Sequence, residues 1–237
     1  MNGARGKRSY DQQCALAYAL DVVGERWTLL VIRELLHGPR RYNQLLEALP
    51  GIGTNLLAAR LAALVDAGLL TPTEPRKRTG GYQLTDLGRS LHEPILGLSR
   101  FGLAYAAGHE LPSGSTVRAS WAVLAIEAMV DDGRTGVIDE SYEFRVDDEV
   151  FHVDVRAGHA EVVAGPADAP SLTVRTDARS FFSLGMRQLD PIEALVSGQV
   201  AAVGVPAAVT RCLRLLGITP DVAVSTDRLA DVGPAPV

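Results

Sequence analysis

Residues 37–88, HGPRRYNQLLEALPGIGTNLLAARLAALVDAGLLTPTEPRKRTGGYQLTDLG, constrain this chain more than any other stretch. Arg40 to Leu49 reads as a short helix closed by Pro50-Gly51. Thr54 to Ala67 reads as the next, with Thr54 as its N-cap and Gly68 as its stop. Leu69 to Glu74 and Tyr82 to Thr85 then pair as a hairpin around Pro75-Arg76-Lys77-Arg78-Thr79-Gly80-Gly81. Helix, turn, helix and β-wing in that order present one helix to the major groove of double-stranded DNA. The charged hairpin meets the phosphates beside it.

The second helix of this unit is the reader. Leu57, Leu61 and Leu64 follow a 4-then-3 spacing that faces a core, which turns Thr54, Asn55, Ala58 and Ala59 outward. Asn can bond an adenine edge in two places, and Thr can bond a base or touch a thymine methyl. The rest of that face is alanine, so direct readout is sparse and DNA shape carries part of the specificity. Arg60 flanks the face within reach of a phosphate. Arg76, Lys77 and Arg78 at the wing tip supply affinity with little sequence information. Arg40 and Arg41, opening the preceding helix, add backbone contacts. The alternatives are an ordinary solvated turn at 76–78 and an exposed helix residue at Asn55.

Two further helices precede this unit. Gln12 to Val23 is capped by Asp11 and carries Leu16, Ala19, Leu20 and Val23 at helical spacing. Trp27 to Leu35 is ended by Gly38-Pro39. Downstream, Leu87, Leu91, Ile95, Leu98, Gly102 and Tyr105 form a one-sided apolar stripe longer than a small winged domain needs, with Pro94 expected to kink it. Two copies packed along that stripe would set their reading helices about 34–36 Å apart, one DNA turn. Packing within the chain is the alternative.

Several stretches resemble the HxlR family of bacterial winged-helix regulators. They are Cys14-Ala-Leu-Ala-Tyr-Ala-Leu-Asp-Val-Val-Gly, Arg26-Trp-Thr-Leu-Leu-Val-Ile-Arg-Glu-Leu, Gly38-Pro-Arg-Arg-Tyr-Asn-Gln-Leu, Pro50-Gly-Ile, Arg60-Leu-Ala-Ala-Leu and Tyr82-Gln-Leu-Thr-Asp-Leu-Gly-Arg-Ser-Leu. The resemblance covers about residues 10–107. It implies a homodimer on a palindromic operator, usually near its own gene, and repression is the expected mode. Many members carry a cysteine where Cys14 stands, and some sense oxidants or reactive carbonyls through it. Cys14 also falls about three residues into the first expected helix, where free N–H groups favour a thiolate. A buried small residue is the alternative, and Cys212, on an apolar helical face, reads as core.

Charge divides the chain. The whole carries −5, but residues 1–110 hold 13 Lys and Arg against 10 Asp and Glu, and residues 111–237 hold 10 against 18. A front of +3 and a rear of −8 suggest two domains with different partners. No stretch has the ~20 apolar residues of a membrane helix, and the polar start MNGARGKRSYDQQ is no secretory signal, so a cytoplasmic protein without membrane contact is expected. No metal-ligand spacing, phosphate loop or nucleophile motif occurs, so no cofactor, metal, catalytic residue or enzyme activity is expected. His152 and Asp154 alternate on the polar side of a strand and read as a solvated face.

After a polar linker near residues 110–115 the period changes. Ser120 to Val130 is helical. Tyr142–Val146, Phe151–Arg156, Ala160–Val163 and Leu172–Thr176 alternate as strands, and Val200–Val203 can add another among helices at 178–186, 191–197 and 206–216. An antiparallel sheet with helices on one face follows. Leu172-Thr-Val-Arg-Thr-Asp, Phe181-Phe-Ser-Leu, Asp190-Pro-Ile-Glu-Ala-Leu-Val-Ser-Gly and Val200-Ala-Ala-Val-Gly-Val-Pro-Ala-Ala-Val resemble the sterol-carrier-protein fold family over about residues 115–218. That resemblance implies an apolar cavity. Trp121, Phe181, Phe182, Met186, Leu195 and Leu213 are its candidate lining, or else plain core.

The expected fold class is therefore α+β. A mainly α winged helix-turn-helix domain for DNA binding and dimerisation occupies 9–110, and a sterol-carrier-like α+β domain for a small apolar ligand occupies 115–225. The leading function is a sequence-specific regulator answering an apolar effector. The alternatives are a thiol-based sensor switching through Cys14, and a lipid-binding carrier whose winged domain serves only dimerisation.

Overall fold

The computed structural model describes residues 9–74, 80–107, 109 and 114–218. Contacts divide the chain into two units, Met1–Ile95 and Leu96–Val237. The division falls inside a helix, upstream of residues 110–115 where the sequence places the linker. With a mainly helical front and a sheet-based rear, the chain is α+β.

The front unit runs α1 (Ala15–Val23), α2 (Thr28–Leu36), β1 (Arg40–Arg41), α3 (Tyr42–Ala48), α4 (Thr54–Asp66), β2 (Leu70–Pro72), β3 (Gly81–Leu84) and α5 (Asp86–Arg89), and enters α6 (His92–Ala106). Its core joins Val31, Ile32 and Leu35 of α2, Leu45 of α3, and Leu57, Leu61 and Leu64 of α4, all essentially inaccessible. Helix α4 ends in a Schellman motif. Gly68 takes a φ of 72°, its N–H donates to Val65 and the Leu69 N–H to Leu64. At Gly88 only glycine fits, because a Cβ would lie 2.2 Å from the Leu69 carbonyl oxygen.

Four local expectations are corrected here. Helix α1 begins at Ala15 with Cys14 as N-cap, because Asp11 sits at φ 52° and turns the chain before the helix instead of capping it. Arg40 and Arg41 do not open a helix. They form a short strand opposite Tyr82 and Gly81, which makes the wing a three-stranded sheet of order β1-β3-β2. Gly53, not Thr54, caps α4. Pro94 lies at the third position of α6, where no helical N–H partner is lost, so it starts that helix rather than kinking it.

In the rear unit a short 3-10 turn at Ala119–Trp121 leads into α7 (Ala122–Met129). Then come β4 (Glu140–Val146), β5 (Glu149–Arg156), β6 (His159–Ala164), β7 (Leu172–Thr176), α8 (Ala178–Gly185), α9 (Pro191–Val196), β8 (Val200–Gly204) and α10 (Pro206–Leu215). The sheet order is β6-β5-β4-β7-β8. It is mixed rather than wholly antiparallel, since β7 pairs parallel to β4. Tyr142, Phe144 and Val146 of β4, with Phe151, Val153 and Val155 of β5, pack against α7, α8 and α10. Asp177 and Asp190 cap α8 and α9 by accepting backbone N–H groups.

The parallel pair forces the β6–β7 connection to cross the other face of the sheet, and the buried polar residues there bind it. His152 Nδ1 lies 2.9 Å from the Gly165 carbonyl, Glu143 Oε2 accepts from the Ala167 N–H at 3.1 Å, and the Ser171 N–H reaches the Ser141 carbonyl at 2.9 Å. His152 is thus a buried partner of the crossover, not part of a solvated face. Burial pushes the Glu143 carboxyl up, but the Arg145 guanidinium and the Ala167 amide outweigh it and hold it below its ordinary range.

An ion pair also ties the sheet to α10. Glu140, at the start of β4, receives both Arg211 Nε at 2.6 Å and Arg211 Nη2 at 2.7 Å, and the Tyr142 hydroxyl as well. Burial alone would raise the Glu140 carboxyl, yet Arg211 and Tyr142 draw it below the ordinary range. Arg211 keeps 23% of its side chain exposed, so water partly compensates the cation when Glu140 is removed. Glu140→Ala is expected to lose about 1.5–3 kcal/mol in urea unfolding at pH 7, the range for hydrogen bonds to a charged group. A depressed folded pKa stabilises above the unfolded value of about 4.3 and stops stabilising as pH falls through the folded one. The gap between wild type and variant should therefore begin to narrow below about pH 4.3 and close as pH falls through the lower folded value. A loss under about 1 kcal/mol at pH 7 would show that Arg211 is satisfied without Glu140.

Candidate nucleic-acid interface

Helix α4 is amphipathic in the sense a groove reader requires. Burial of Leu57, Leu61 and Leu64 leaves Thr54, Asn55, Ala58 and Ala59 exposed on the opposite side, at and near the helix start. Because Gly53 is the cap, the Thr54 hydroxyl has no capping duty. The Thr54 carbonyl accepts the Tyr42 hydroxyl at 2.8 Å, which ties the start of α3 to the start of α4.

Beside this helix the wing sheet carries a polar cleft of about 170 Å³, lined by Arg40, Arg41, Gln44, Thr73, Glu74 and Gly80-Gly81 among others. Thr73 and Gly81 close the wing root through Thr73 N–H to Gly81 carbonyl and Gly81 N–H to Thr73 Oγ1. Arg40 is partly committed, its Nε donating to the Glu34 carbonyl at 2.7 Å. Arg41 is exposed, with its backbone N–H bonded to Gln44 Oε1. Arg76, Lys77 and Arg78 lie outside the described residues. Arg60 is not a free flanking cation. Its Nε donates to the Arg26 carbonyl at 3.0 Å and its Nη2 pairs with Glu25 at 2.9 Å.

The apolar stripe divides between two helices. Leu87 on α5 and Leu98 and Tyr105 on α6 are more than half exposed, Leu91 is half-buried, and Ile95 is buried within the chain, so it is not available to a partner copy. Phe101, which the stripe did not include, is 67% exposed and stacks on Tyr105 at 6.0 Å, and Tyr105 stacks on His109 at 4.0 Å. Helix α1 is exposed almost all round. Ala17 is its one buried residue, while Leu16, Tyr18, Leu20 and Val22 face solvent. Cys14 is exposed at the head of α1, where the N–H groups of Ala17 and then Leu16 favour the thiolate and lower its pKa.

The rear unit holds an apolar cavity of about 70 Å³ between its sheet and helices α7 to α10. Phe144, Leu172 and Val174 form its floor, and Phe181, Leu195 and Leu213 are among its walls. Trp121, Phe182 and Met186 do not line it. Trp121 belongs to the turn before α7, Phe182 lies edge-on to Phe181 within the surrounding core, and Met186 caps the end of α8. Cys212 also borders the cavity, and burial followed by the Glu140 charge pushes its thiol up to about 12. Among the described residues no group of His, Cys, Asp and Glu is placed to hold a metal ion, and no helix is long and apolar enough to cross a membrane.

Fold and exposed helix together define a winged helix-turn-helix protein. The HxlR-like helix-turn-helix family matches residues 22–110. The HTH-type transcriptional regulator YdzF of Bacillus subtilis (strain 168) is 32% identical over 103 residues, 41% of this chain and 93% of that protein. An HTH-type transcriptional regulator of Mycobacterium tuberculosis (strain ATCC 25618 / H37Rv) is 42% identical over 96 residues, 40% of this chain. The chain spans 60% of the length of that relative. A solved structure described as a putative MarR-family regulator from Porphyromonas gingivalis W83 is 28% identical, covering 40% of this chain and 96% of that one at a TM-score of 0.37. This chain belongs to the HxlR-like helix-turn-helix family.

The two thiols should separate by chemistry. Alkylation by iodoacetamide is expected at Cys14 with a half-maximal rate below about pH 8.5, the ordinary cysteine value, while Cys212 stays unmodified in the folded protein. A Cys14 half-point at or above that value would remove the influence of the helix start.

Proposed function

We propose that this protein is a DNA-binding transcriptional regulator that seats a homodimer on a palindromic operator, acting as a repressor. The observation that carries this reading is the outward face of α4. Thr54 and Asn55 stand exposed at the start of a helix whose opposite face is closed by three buried leucines. The exposed apolar side chains of α1, and of Leu98, Phe101 and Tyr105 on α6, support assembly with a second copy, because isolated chains seldom leave such patches in water. Arg41 and the cations at 76–78 serve as phosphate contacts in this reading, and Arg40 lines the cleft together with Arg41.

The rear unit, resembling sterol carriers in sequence, serves as the effector domain. Its cavity lining favours a neutral apolar molecule, and about 70 Å³ favours a small one over a sterol. Effector binding shifts DNA affinity insofar as the two protein conformations hold it unequally. A second reading, a thiol sensor, is favoured by one observation: Cys14 is exposed and acidified at the head of α1. Cys14→Ser separates the two, since it should abolish a response to oxidant and leave a response to an apolar effector.

Fluorescence anisotropy on the DNA upstream of the protein's own gene, against a scrambled duplex across a salt series, tests the main reading. Preference for the native duplex with a steep salt dependence is expected, and equal binding to both at every salt concentration would refute it. Replacing Arg76 and Lys77 by Ala should weaken both duplexes alike and flatten the salt slope by about 0.9 for each phosphate no longer neutralised. Asn55→Ala should relax discrimination at one base pair by about 1–3 kcal/mol, read from single-substitution duplexes. Identical discrimination before and after would take Asn55 off the base-reading face.

A further inference from the structure

We infer that Arg60 is a positioning residue: it latches the groove-reading helix α4 to the junction between α1 and α2, and touches no phosphate. The inference rests on the reading of α4 as the DNA-facing helix. Arg60 lies six residues beyond Thr54, and its side chain is 19% exposed. The Nε–Nη2 edge of its guanidinium is turned onto the α1–α2 junction. Nε donates to the backbone carbonyl of Arg26 at 3.0 Å, and Nη2 meets Glu25 Oε2 at 2.9 Å. A phosphate at the same place would compete with the Glu25 carboxylate and be repelled by it.

The junction touches the helix-turn-helix at a second point. Trp27 adopts φ 78°, a left-handed conformation uncommon outside glycine, and its ring lies against Gly51 in the turn between α3 and α4. A Cβ on Gly51 would stand 3.6 Å from the ring edge. The Arg26 guanidinium covers the same ring at 5.4 Å. Three consecutive residues, Glu25, Arg26 and Trp27, thus hold α4 through Arg60 and the preceding turn through Gly51. These two separated anchor points add to the leucine packing in holding how far α4 projects. A half-exposed ion pair adds little stability, so the latch is expected to show in geometry rather than in melting temperature. A lysine could supply the charge at position 60, but not two bonds from one rigid planar fork.

Latch and phosphate contact predict opposite signs for Glu25. A phosphate-binding Arg60 would be freed by Glu25→Gln, and DNA binding would tighten. A latching Arg60 would be loosened, and operator preference would fall. The experiment measures anisotropy on native and scrambled upstream duplexes across salt, using full-length wild type, Glu25→Gln, Arg60→Gln and the double variant. Either single variant should reduce preference for the native duplex about five- to tenfold, with scrambled binding and salt slope as in wild type. The double variant should be no worse than Arg60→Gln alone, because both remove the same coupled interaction.

Hydrogen exchange of the α4 amides without DNA reads the latch independently, and both variants should exchange faster across Thr54–Arg60. Tighter binding by Glu25→Gln, a salt slope flattened by about 0.9 in Arg60→Gln, or unchanged α4 exchange in both variants would overturn the latch. A wild type without duplex preference would instead sink the DNA reading of α4, and the exchange result would still decide the latch.

Discussion

Burial of Leu57, Leu61 and Leu64 on the inner face of α4, which packs against α2 and β2, is the constraint on which the front unit depends. A helix with one face closed in this way has a single orientation about its axis, and that orientation leaves Thr54 and Asn55 on the outward face proposed to read DNA. The Schellman end at Gly68 fixes where α4 stops, and hence where β2 begins and where the wing can stand. Loss of packing on the leucine side would blur the face before it unfolded the domain, because a rotating helix still buries apolar surface.

The rear unit meets a different constraint. A parallel pair within a five-stranded sheet needs a crossover, and a crossover brings backbone polar groups against a sheet face. Glu143, His152 and the Ser141 carbonyl answer those groups one by one. The helix-covered face remains free to be apolar, and the cavity lies there. The Glu140–Arg211 pair anchors α10 beside it without lining it.

What the sequence made legible follows from the range of each interaction. Helix α4 was readable because its leucine spacing and its stop are local. Strand β1 was not, since two residues carry no period and Arg40-Arg41 become a strand only through Tyr82 and Gly81, some forty residues on. Strand positions in the rear unit were readable from alternation, whereas the parallel pairing of β7 with β4 leaves no trace in alternation. His152 looked solvated because nothing near it in sequence announces Gly165 as its cover. Arg60 looked free because Glu25, its partner, lies 35 residues upstream. Three of the six cavity candidates line the cavity, since apolar character marks core without saying which wall. For α1, apolar spacing identified a helix and said nothing of its environment, because periodicity reports a sticky face and not what covers it.

Helix α1 has nine residues, one of them buried, and is tied down by Ser9 and Tyr10 bonding to Asp21. A helix that short is marginal by itself in water, so its persistence depends on whatever its apolar side chains rest against. The acidity of Cys14 is borrowed from the first amides of the same helix. Fraying of α1 disperses those amides and returns the thiol to ordinary behaviour. In the homodimer proposed above, the chemical reactivity of that one sulfur atom would gauge how much of the protein is assembled, and dilution alone should dull it.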